Sequence, residues 1–498
     1  MACIASAAFV QADPTVGLID HVEDSASPGY TFFSPMAYTS SYLVDLQGRL
    51  VHQWDHDEIP GNAAYLLHDG SILRTANPGS DFHFTGGGQG GIVTSQDWDG
   101  TLEWTFEYND DQHRLHHDIE PMPNGNVLMI AWEYKSRSEA IQSGRDPSTV
   151  GSELWPDVII EVDPTAPGGP QIVWEWHAWD HLVQNFDETR DNYQEHLWEH
   201  PGLININFYA TPQPDWLHLN AIDYHPELDQ ILVSCPRFKE VWIIDHSTTT
   251  EEAAGHAGGD SGMGGDLLYR WGNPRTWDAG TTTDQRLFAQ HGANWIEPGL
   301  DGEGEILFFN NGVGRPGGIE YSSVESIQPP LNAAGTYDRE PGVPYSPDES
   351  TVTYVHDPPG DLYAEFLSGA QRLPNGNTLI CDGPHGHFYE VTPAGEIAWE
   401  YINPVVVDGP LYQCEEPTGT PTMLENNTFR VLRYGPGFPG FKGQDLLPGG
   451  PIELYTGDYT GDGLVNVSDL LHVIAGWGDP WDIEDLLLVI ASWGGACP

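Results

Sequence analysis

Basic residues are scarce in this sequence. The 498-residue chain has 18 Lys and Arg against 74 Asp and Glu, which gives a formal net charge of −56. A surface with this charge repels nucleic acid and anionic membranes, so neither is expected as a partner. Solubility, salt tolerance or calcium binding would each explain the acidity. An anionic substrate would need a locally positive pocket, which histidine or arginine would have to supply.

Long apolar runs are also missing. No segment reaches the roughly 18 apolar residues of a membrane-spanning helix. The N-terminus is apolar and ends in Val10-Gln-Ala12, which resembles a signal-cleavage site, but the first basic residue is Arg49. We interpret residues 1–12 as the remnant of a secretory signal, with a frayed tail as the alternative. The predicted location is secreted, periplasmic or cell-surface.

Cysteine is rare. The five cysteines show no metal-binding spacing: Cys3, Cys235, Cys381, Cys414 and Cys497. If Cys3 is removed with a leader, the remaining four allow one or two disulfides, and the sequence does not indicate the pairing.

Glycine, proline and aromatic residues are plentiful, and a two-part pattern of short strands recurs. An alternating strand, a glycine turn and a strand ending in an aromatic residue are followed by a turn such as Pro123-Asn-Gly-Asn126. Alternation around Asn-Gly turns is typical of β-hairpins. We count five units and a sixth that closes near Thr428-Phe-Arg-Val-Leu-Arg433. Four strands per unit, at spacings of roughly 40 residues or more, predict an all-β, six-bladed β-propeller, with seven blades as the alternative.

The predicted propeller spans residues 28–445 and is followed by a linker over 446–456. Long insertions rich in Gly, Pro and acidic residues interrupt it at 136–157, 177–215, 246–266 and 329–350. Such loops gather on a face of a compact fold and often shape its site.

Residues 457–498 break the repeat and contain a calcium-loop pattern. Oxygen ligands are expected at loop positions 1, 3, 5, 7, 9 and 12, with Gly463 at position 6 for the sharp turn. These positions hold Asp458, Thr460, Asp462, Leu464, Asn466 and Asp469. Followed by the helical stretch Leu470–Trp477, they predict a Ca²⁺ site in a small α-helical, EF-hand-like module, with a solvated acidic loop as the alternative.

The tail also repeats itself, and it resembles a dockerin type I module. Asp469-Leu-Leu-His-Val-Ile-Ala is echoed by Asp485-Leu-Leu-Leu-Val-Ile-Ala, but the second loop keeps only Asp482-Ile-Glu-Asp485. We therefore predict one calcium site. The resemblance implies a cohesin or cell-surface partner. A stability cap is the alternative, because the second loop is truncated.

Three histidines, His117, His218 and His291, occupy one repeat position in three successive units. Other units carry Asn62 and Ser368 there. Residues just before the first strand of each blade converge on one mouth of the central channel of a propeller, so we expect the three imidazoles to share a pocket. Imidazoles bind metals, hold anions when protonated, or act as nucleophile and acid/base.

These stretches are similar to those of the bacterial arylsulfotransferases (aryl-sulfate sulfotransferases). The resemblance is carried mainly by His116-His-Asp-Ile-Glu-Pro-Met-Pro-Asn-Gly-Asn126, Asp215-Trp-Leu-His-Leu-Asn220, Ile231–His246, Gly265–Asn273 and Gln290-His-Gly-Ala-Asn-Trp-Ile296. It implies a six-bladed propeller that moves sulfuryl groups from aryl sulfates to phenols, without the nucleotide donor of other sulfotransferases. No cofactor would be required for the chemistry.

The resemblance also implies roles for single residues. His291 would be the nucleophile that becomes sulfated, while His117 and His218 would bind sulfuryl oxygens and serve as acid/base. Asn220, His116 and Asn294 would contribute to substrate binding. The family's arginine aligns with Pro236, and Arg237 stands one residue later. A one-residue slip reverses a side chain in a regular strand, but a bulge or strand end at Pro236 would restore its direction.

Two other functions fit parts of the pattern. A secreted, non-catalytic propeller anchored by its tail would bind a carbohydrate, a peptide or a sulfated ligand. A histidine-bound metal would make the scaffold a hydrolase or lyase.

Overall fold

The computed structural model describes residues 14–79, 83–476, 481 and 483–492. The predicted signal remnant at 1–12, together with Cys3, Cys497 and Asp482, lies outside the described residues. Cys235 and Cys381 are buried free thiols, whereas Cys414 is disulfide-bonded. No helix among the described residues is both long and apolar enough to cross a membrane.

Six antiparallel sheets form the blades of a propeller, which confirms the predicted fold and count. Each blade is given from its inner to its outer strand. Blade 1 contains Thr428–Tyr434, Tyr30–Pro35, Ser40–Val44 and Leu50–Asp55; blade 2 contains Pro60–Leu66, Ile72–Ala76, Ile92–Gln96 and Leu102–Glu107; blade 3 contains His113–Pro121, Val127–Glu133, Asp157–Asp163 and Gln171–His177. Blade 4 contains Ala221–His225, Gln230–Cys235, Glu240–Asp245 and Tyr269–Trp271; blade 5 contains His291–Trp295, Ile306–Asn310, Ser323–Ile327 and Thr351–Tyr354; blade 6 contains Gly369–Arg372, Thr378–Asp382, His387–Val391, Ile397–Ile402 and Gly17–His21.

The ring is closed by strands from both ends of the propeller. Thr428–Tyr434 pairs with Tyr30–Pro35 as the inner strand of blade 1, and Gly17–His21 pairs with Ile397–Ile402 as a fifth strand of blade 6. Each of the six inner strands contacts its two neighbours around the ring. The inner strands therefore surround one central channel.

The predicted hairpin turns form as their residues require. In the Pro123-Asn-Gly-Asn126 turn, Gly125 has φ +89°, and Met122 exchanges backbone hydrogen bonds with Gly125 and Asn126 at 2.9 Å. Glycine tolerates this left-handed conformation. The turn leads into the fully buried strand Val127–Glu133, so the local pattern sets both the strand and its register.

The insertions and the other connections between strands carry the remaining short elements of the propeller region. Two-residue strands are Lys135–Ser136, Glu153–Leu154, Leu182–Val183, Ile204–Asn205, Val405–Val406, Gly409–Pro410, Gly419–Thr420 and Met423–Leu424. Short helices are Arg137–Gln142, Ala178–His181, Leu197–Glu199, Thr250–Ala253, Pro274–Trp277, Pro359–Asp361, Gly383–His385 and Pro439–Phe441.

The tail contains two short helices, Val467–Ala475 and Ile483–Ala491. Val465, Val473 and Val489 form a small core between them. The segment before the tail runs along the propeller, where Leu50 and Gly450 are joined by a 2.9 Å backbone hydrogen bond. A helical tail was predicted; its dockerin character stays a prediction.

Candidate active site

Three histidines from adjacent blades meet at the central channel. His117 lies within the inner strand of blade 3, His218 precedes that of blade 4, and His291 begins that of blade 5. The centroid of the His117 ring is 4.4 Å from that of His218 and 6.3 Å from that of His291. The repeat position thus places three imidazoles around one small space.

The repeat position has an unusual backbone conformation. The φ angle is +56° at His117 and +61° at His218, and it is also positive at Asn62 and Ser368. In blade 5 the positive φ falls one residue later, at Gly292. A left-handed conformation costs a non-glycine residue about 1–2 kcal/mol, and such strain concentrates at functional sites. The positive φ is a property of the repeat; His117 and His218 adopt it themselves, whereas His291 precedes the residue that does.

Each histidine is oriented through its Nδ1 atom. His218 Nδ1 lies 2.6 Å from Asp215 Oδ2, and His291 Nδ1 lies 2.9 Å from the carbonyl oxygen of Ser368. His117 Nδ1 lies 2.7 Å from Nδ1 of His116. Because these contacts occupy Nδ1 of each ring, Nε2 is the nitrogen through which each histidine could contact a substrate.

Arg237 reaches this group although it follows the expected position by one residue. The strand Gln230–Cys235 ends just before Pro236, so strand alternation no longer applies. The Arg237 guanidinium lies 3.7 Å from Asp215 Oδ2 and donates to the Tyr209 hydroxyl at 2.8 Å. A cation therefore stands beside the Asp215 carboxylate, which also holds His218.

A second arginine was missed by the sequence analysis. Arg430, on the closing strand of blade 1, donates to Asp118 Oδ2 at 2.6 Å and also to the Tyr65 hydroxyl. The Tyr65 hydroxyl donates to Asp118 Oδ1 at 2.7 Å. Asp118 is fully buried and follows His117 directly. The Asp118 carboxylate raises the pKa of Arg430 against the effect of burial, so this cation is fixed next to the histidines.

Burial and nearby positive charge keep His291 neutral. Burial is the larger cause and the Arg430 charge the next, and together they lower the pKa of His291 to about 3. Burial and the neighbouring His218 place the pKa of His117 well below its ordinary value.

The Asp215 carboxylate stays ionised. Its burial opposes ionisation, but His218 and Arg237 outweigh that effect and lower its pKa. His218 therefore faces a charged acceptor, which favours a proton on its Nδ1.

A glycine strap, residues Gly86–Gly88 of blade 2, covers the histidines. The Gly88 carbonyl accepts hydrogen bonds from the His117 backbone at 2.8 Å and from Asn62 Nδ2 at 2.8 Å. A β-carbon on Gly88 would lie 2.2 Å from His117 Cε1, and one on Gly86 would lie 2.8 Å from Trp132. Only glycine lets the backbone approach this closely.

The three residues expected to bind substrate lie in different surroundings. Asn220 is buried beside the site, and its Nδ2 donates to the Gln290 carbonyl at 2.9 Å. Asn294 donates to the Gly292 and Ala370 carbonyls and lines a cavity of about 140 Å³ that the three histidines do not line. His116 is buried, with a partner near each ring nitrogen.

Metal-binding donor atoms lie within 4.8 Å of one another in two groups of described residues: Asp458, Asp462 and Asp469, and His181, His256 and Asp266. In the second group His181 is already satisfied, since its nitrogens lie 2.8 Å from Asp266 Oδ1 and from the Ala253 carbonyl. The three channel histidines do not form such a group.

The first group belongs to the predicted calcium loop. Gly463, at position 6, has φ +79° as the sharp turn requires. Asp458 accepts backbone hydrogen bonds from Gly461 and Gly463 at 2.7 Å, and the buried Asp469 accepts one from Thr460 at 2.9 Å. The loop is thus folded around three converging carboxylates, the donor type that Ca²⁺ prefers.

Comparison with known sequences identifies one family. The family model described as Arylsulfotransferase (ASST) matches residues 24–403, which include all three histidines and Arg237 but not Arg430. No curated protein sequence matches the chain.

Several solved structures are similar to this chain at low sequence identity. A protein of unknown function from Bacteroides caccae is 12% identical with TM-score 0.39, covering 75% of this chain and 93% of that one. The Cps50 (Swd1) β-propeller domain of Myceliophteria thermophila is 10% identical with TM-score 0.35, covering 78% and 90%. A catalytically inactive virginiamycin B lyase of Staphylococcus aureus with quinupristin is 9% identical with TM-score 0.34, covering 82% and 96%. At these values the likenesses carry no functional argument.

Proposed function

The chain belongs to the arylsulfotransferase family, and from this premise we propose that it transfers a sulfuryl group from an aryl sulfate to a phenol through a sulfated His291. His117 and His218 assist the transfer as acid/base and as donors to the sulfuryl oxygens. The reaction needs no nucleotide donor and no metal. Such a covalent relay predicts ping-pong kinetics.

The observation that carries the proposal is the tautomer of His291. A carbonyl oxygen only accepts hydrogen bonds, so the 2.9 Å contact with Ser368 puts the ring proton on Nδ1. Nε2 then keeps its lone pair. Because the pKa of this ring is lowered to about 3, the imidazole stays neutral and nucleophilic at ordinary pH.

The neighbouring groups suit the charge that develops in sulfuryl transfer. His218 is held by Asp215, and Arg237 stands beside the same carboxylate. Donors fixed before the reaction stabilise developing negative charge without reorganising. The Phe429 ring, 5.1 Å from the His291 ring, adds an apolar wall for an aryl group.

Mass spectrometry tests the covalent step. Protein mixed with p-nitrophenyl sulfate and no acceptor is expected to gain one sulfuryl group, on His291, and the adduct should disappear when phenol is added. His291→Ala should form no adduct and transfer nothing. If the unaltered protein consumes the donor without an adduct, the covalent mechanism is wrong. If it binds aryl sulfates without consuming them, it is a binding protein. Loss of transfer with a chelator would favour a metal enzyme.

For the tail we propose one Ca²⁺ site, formed by Asp458, Asp462 and Asp469 with the remaining loop oxygens. The support is the convergence of the three carboxylates and the turn at Gly463. Secretion, and a cohesin or cell-surface partner for the tail, stay predictions from the sequence.

A further inference from the structure

A buried chain of three side chains leads away from His117. Nδ1 of His117 lies 2.7 Å from Nδ1 of His116, and Nε2 of His116 lies 2.9 Å from Asp157 Oδ1. The second approach is a charge contact rather than an aligned hydrogen bond, since His116 Nε2 and Asp157 Oδ2 have no hydrogen-bond partner among the described residues. The amide of Leu219, the residue after His218, donates to Asp157 Oδ1 at 3.1 Å and so holds this carboxylate in place.

Bulk water does not reach this chain. The side chains of His116 and Asp157 are both 0% exposed. The Trp132 ring is stacked on His116 with centroids 4.1 Å apart, and the backbone of His116 is bridged to Gln89, the residue after the glycine strap. A buried carboxylate needs positive charge or several donors near it. His116 is the basic side chain in contact with the Asp157 carboxylate.

The contact between the two Nδ1 atoms holds one proton. When it belongs to His117, Nε2 of His117 has a lone pair and acts as a base. When it belongs to His116, Nε2 of His117 carries a proton and acts as an acid. A shift of this one proton therefore switches the chemical role of the nitrogen that faces the substrate.

We propose that Asp157 and His116 form a proton relay that lets His117 give a proton to the leaving phenolate and take one from the acceptor phenol. His116 and Asp157 act through His117 and are positioning residues. The proposal rests on sulfuryl transfer at His291.

In the first half-reaction His291 Nε2 bonds to sulfur, and the bond from sulfur to the aryl oxygen breaks with its electron pair on that oxygen. The His117 Nε2 proton moves to the oxygen, and the His116 Nδ1 proton moves to His117 Nδ1. His116 begins as a cation beside Asp157 and ends neutral.

In the second half-reaction the acceptor phenol gives its proton to His117 Nε2 while its oxygen bonds to sulfur. The sulfur–nitrogen bond breaks, and the electron pair returns to His291 Nε2. The Nδ1 proton moves back from His117 to His116, which restores the starting state.

Charge around His117 explains why a relay is needed. His117 faces His218, His291 and Arg237 as well as His116, and these groups with burial hold its pKa well below the ordinary value. An imidazolium at His117 is therefore disfavoured. A proton held by His116 instead lies beside the Asp157 carboxylate. Burial raises the pKa of Asp157, and the contact with His116 opposes that rise.

Substituted aryl sulfates test the relay in Asp157→Asn. Phenyl sulfate has a basic leaving group that needs the proton, whereas p-nitrophenyl sulfate has a stable one that does not. General acid catalysis contributes about 10²–10⁴-fold, so kcat with phenyl sulfate should fall about 100-fold or more. Because p-nitrophenolate leaves without a proton, the rate of single-turnover adduct formation from p-nitrophenyl sulfate should change less than about threefold.

Asp266→Asn is the matched control. Asp266 contacts a buried histidine, His181, that is stacked on Trp176 with centroids 5.6 Å apart, and it lies away from the channel histidines. The Asp266→Asn variant should therefore react with phenyl sulfate and with p-nitrophenyl sulfate at unchanged rates. An equal loss for both donors in Asp157→Asn would show a purely structural role and overturn the relay.

A measurement on the unaltered protein covers the case in which the variant does not fold. With phenyl sulfate, the rate in mixtures of H₂O and D₂O should depend on deuterium content as a curve, because two protons move together. A linear dependence would overturn the relay. A protein that forms no adduct with any aryl sulfate would instead refute the proposed function.

Discussion

Replacing Gly88 by alanine should disable the site while leaving the fold intact. The added β-carbon would lie 2.2 Å from Cε1 and 2.3 Å from Nε2 of the His117 ring. Ordinary contact needs about 3.4 Å or more, so the ring must move by roughly 1 Å or the strap must lift. The 2.7 Å contact with His116 resists rotation of the ring.

The magnitude follows from this displacement. A 1 Å misplacement at a reacting group costs about 10²-fold in rate, so kcat for transfer from p-nitrophenyl sulfate to phenol should fall about 100-fold. Gly88 has φ +78°, where alanine costs about 1–2 kcal/mol, and overpacking costs about 1–3 kcal/mol more. The unfolding free energy should therefore fall measurably in a denaturant titration.

Gly87→Ala is the neighbouring control. A β-carbon there would lie 3.6 Å from His218 Cε1, which is ordinary van der Waals contact. Its kcat should stay within about threefold of that of the unaltered protein, because no ring is displaced. Equal losses in the two variants, or near-normal kcat in Gly88→Ala, would refute the reasoning about close approach.

Three other groups, His291, Asp118 and Asp462, give further predictions. Because the pKa of His291 is lowered from 6.5 to about 3, adduct formation from p-nitrophenyl sulfate should be constant from pH 5 to 8, and a fall centred near pH 6.5 would contradict this. The same shift should reduce folding stability as pH falls from 6.5 towards 3, because the unfolded chain binds a proton that the folded chain excludes. Asp118→Asn leaves Arg430 without its buried carboxylate and should lower the unfolding free energy by about 3–5 kcal/mol in a denaturant titration; an unchanged value would show that the pair is dispensable. Asp462→Asn should weaken Ca²⁺ binding at least about tenfold by calorimetry while leaving sulfuryl transfer unchanged, and equal affinity would place the ion elsewhere.

Much of the fold could be predicted because its signals are local. Alternation and Asn-Gly turns predict hairpins, and the alternating stretch from Thr428 predicts the closing unit that the structure has. The roles of Arg430 and Asp157 could not be predicted in the same way. Arg430 reaches Asp118 only because the closing strand joins the ring, 312 residues away in the chain. Asp157 meets His116 through the third strand of the same blade, and nothing in its local sequence distinguishes it.

Arg237 shows where the alternation rule ends. The rule that a one-residue slip reverses a side chain applies only inside a regular strand. Here the strand stops at Cys235, and residues 236–239 form a turn whose last residue, Lys239, has φ +61°. The sequence is compatible both with a strand that ends at Pro236 and with a strand that continues through it. Proline removes a ladder donor, and this favours the strand end that the structure has.

The position of the positive φ explains why the three histidines are not equivalent. His117 and His218 themselves adopt the left-handed conformation, whereas in blade 5 Gly292 adopts it. His291 begins a strand whose register shifts between His291 and Asn294, and its Nδ1 lies against the carbonyl oxygen of Ser368, a residue of the next blade that also has a positive φ. The Ser368 carbonyl accepts a hydrogen bond from Nδ1 of His291, while the partner of His218 Nδ1 is the carboxylate of Asp215. One repeat position therefore holds three imidazoles with three different partners: a histidine in blade 3, a carboxylate in blade 4 and a carbonyl in blade 5.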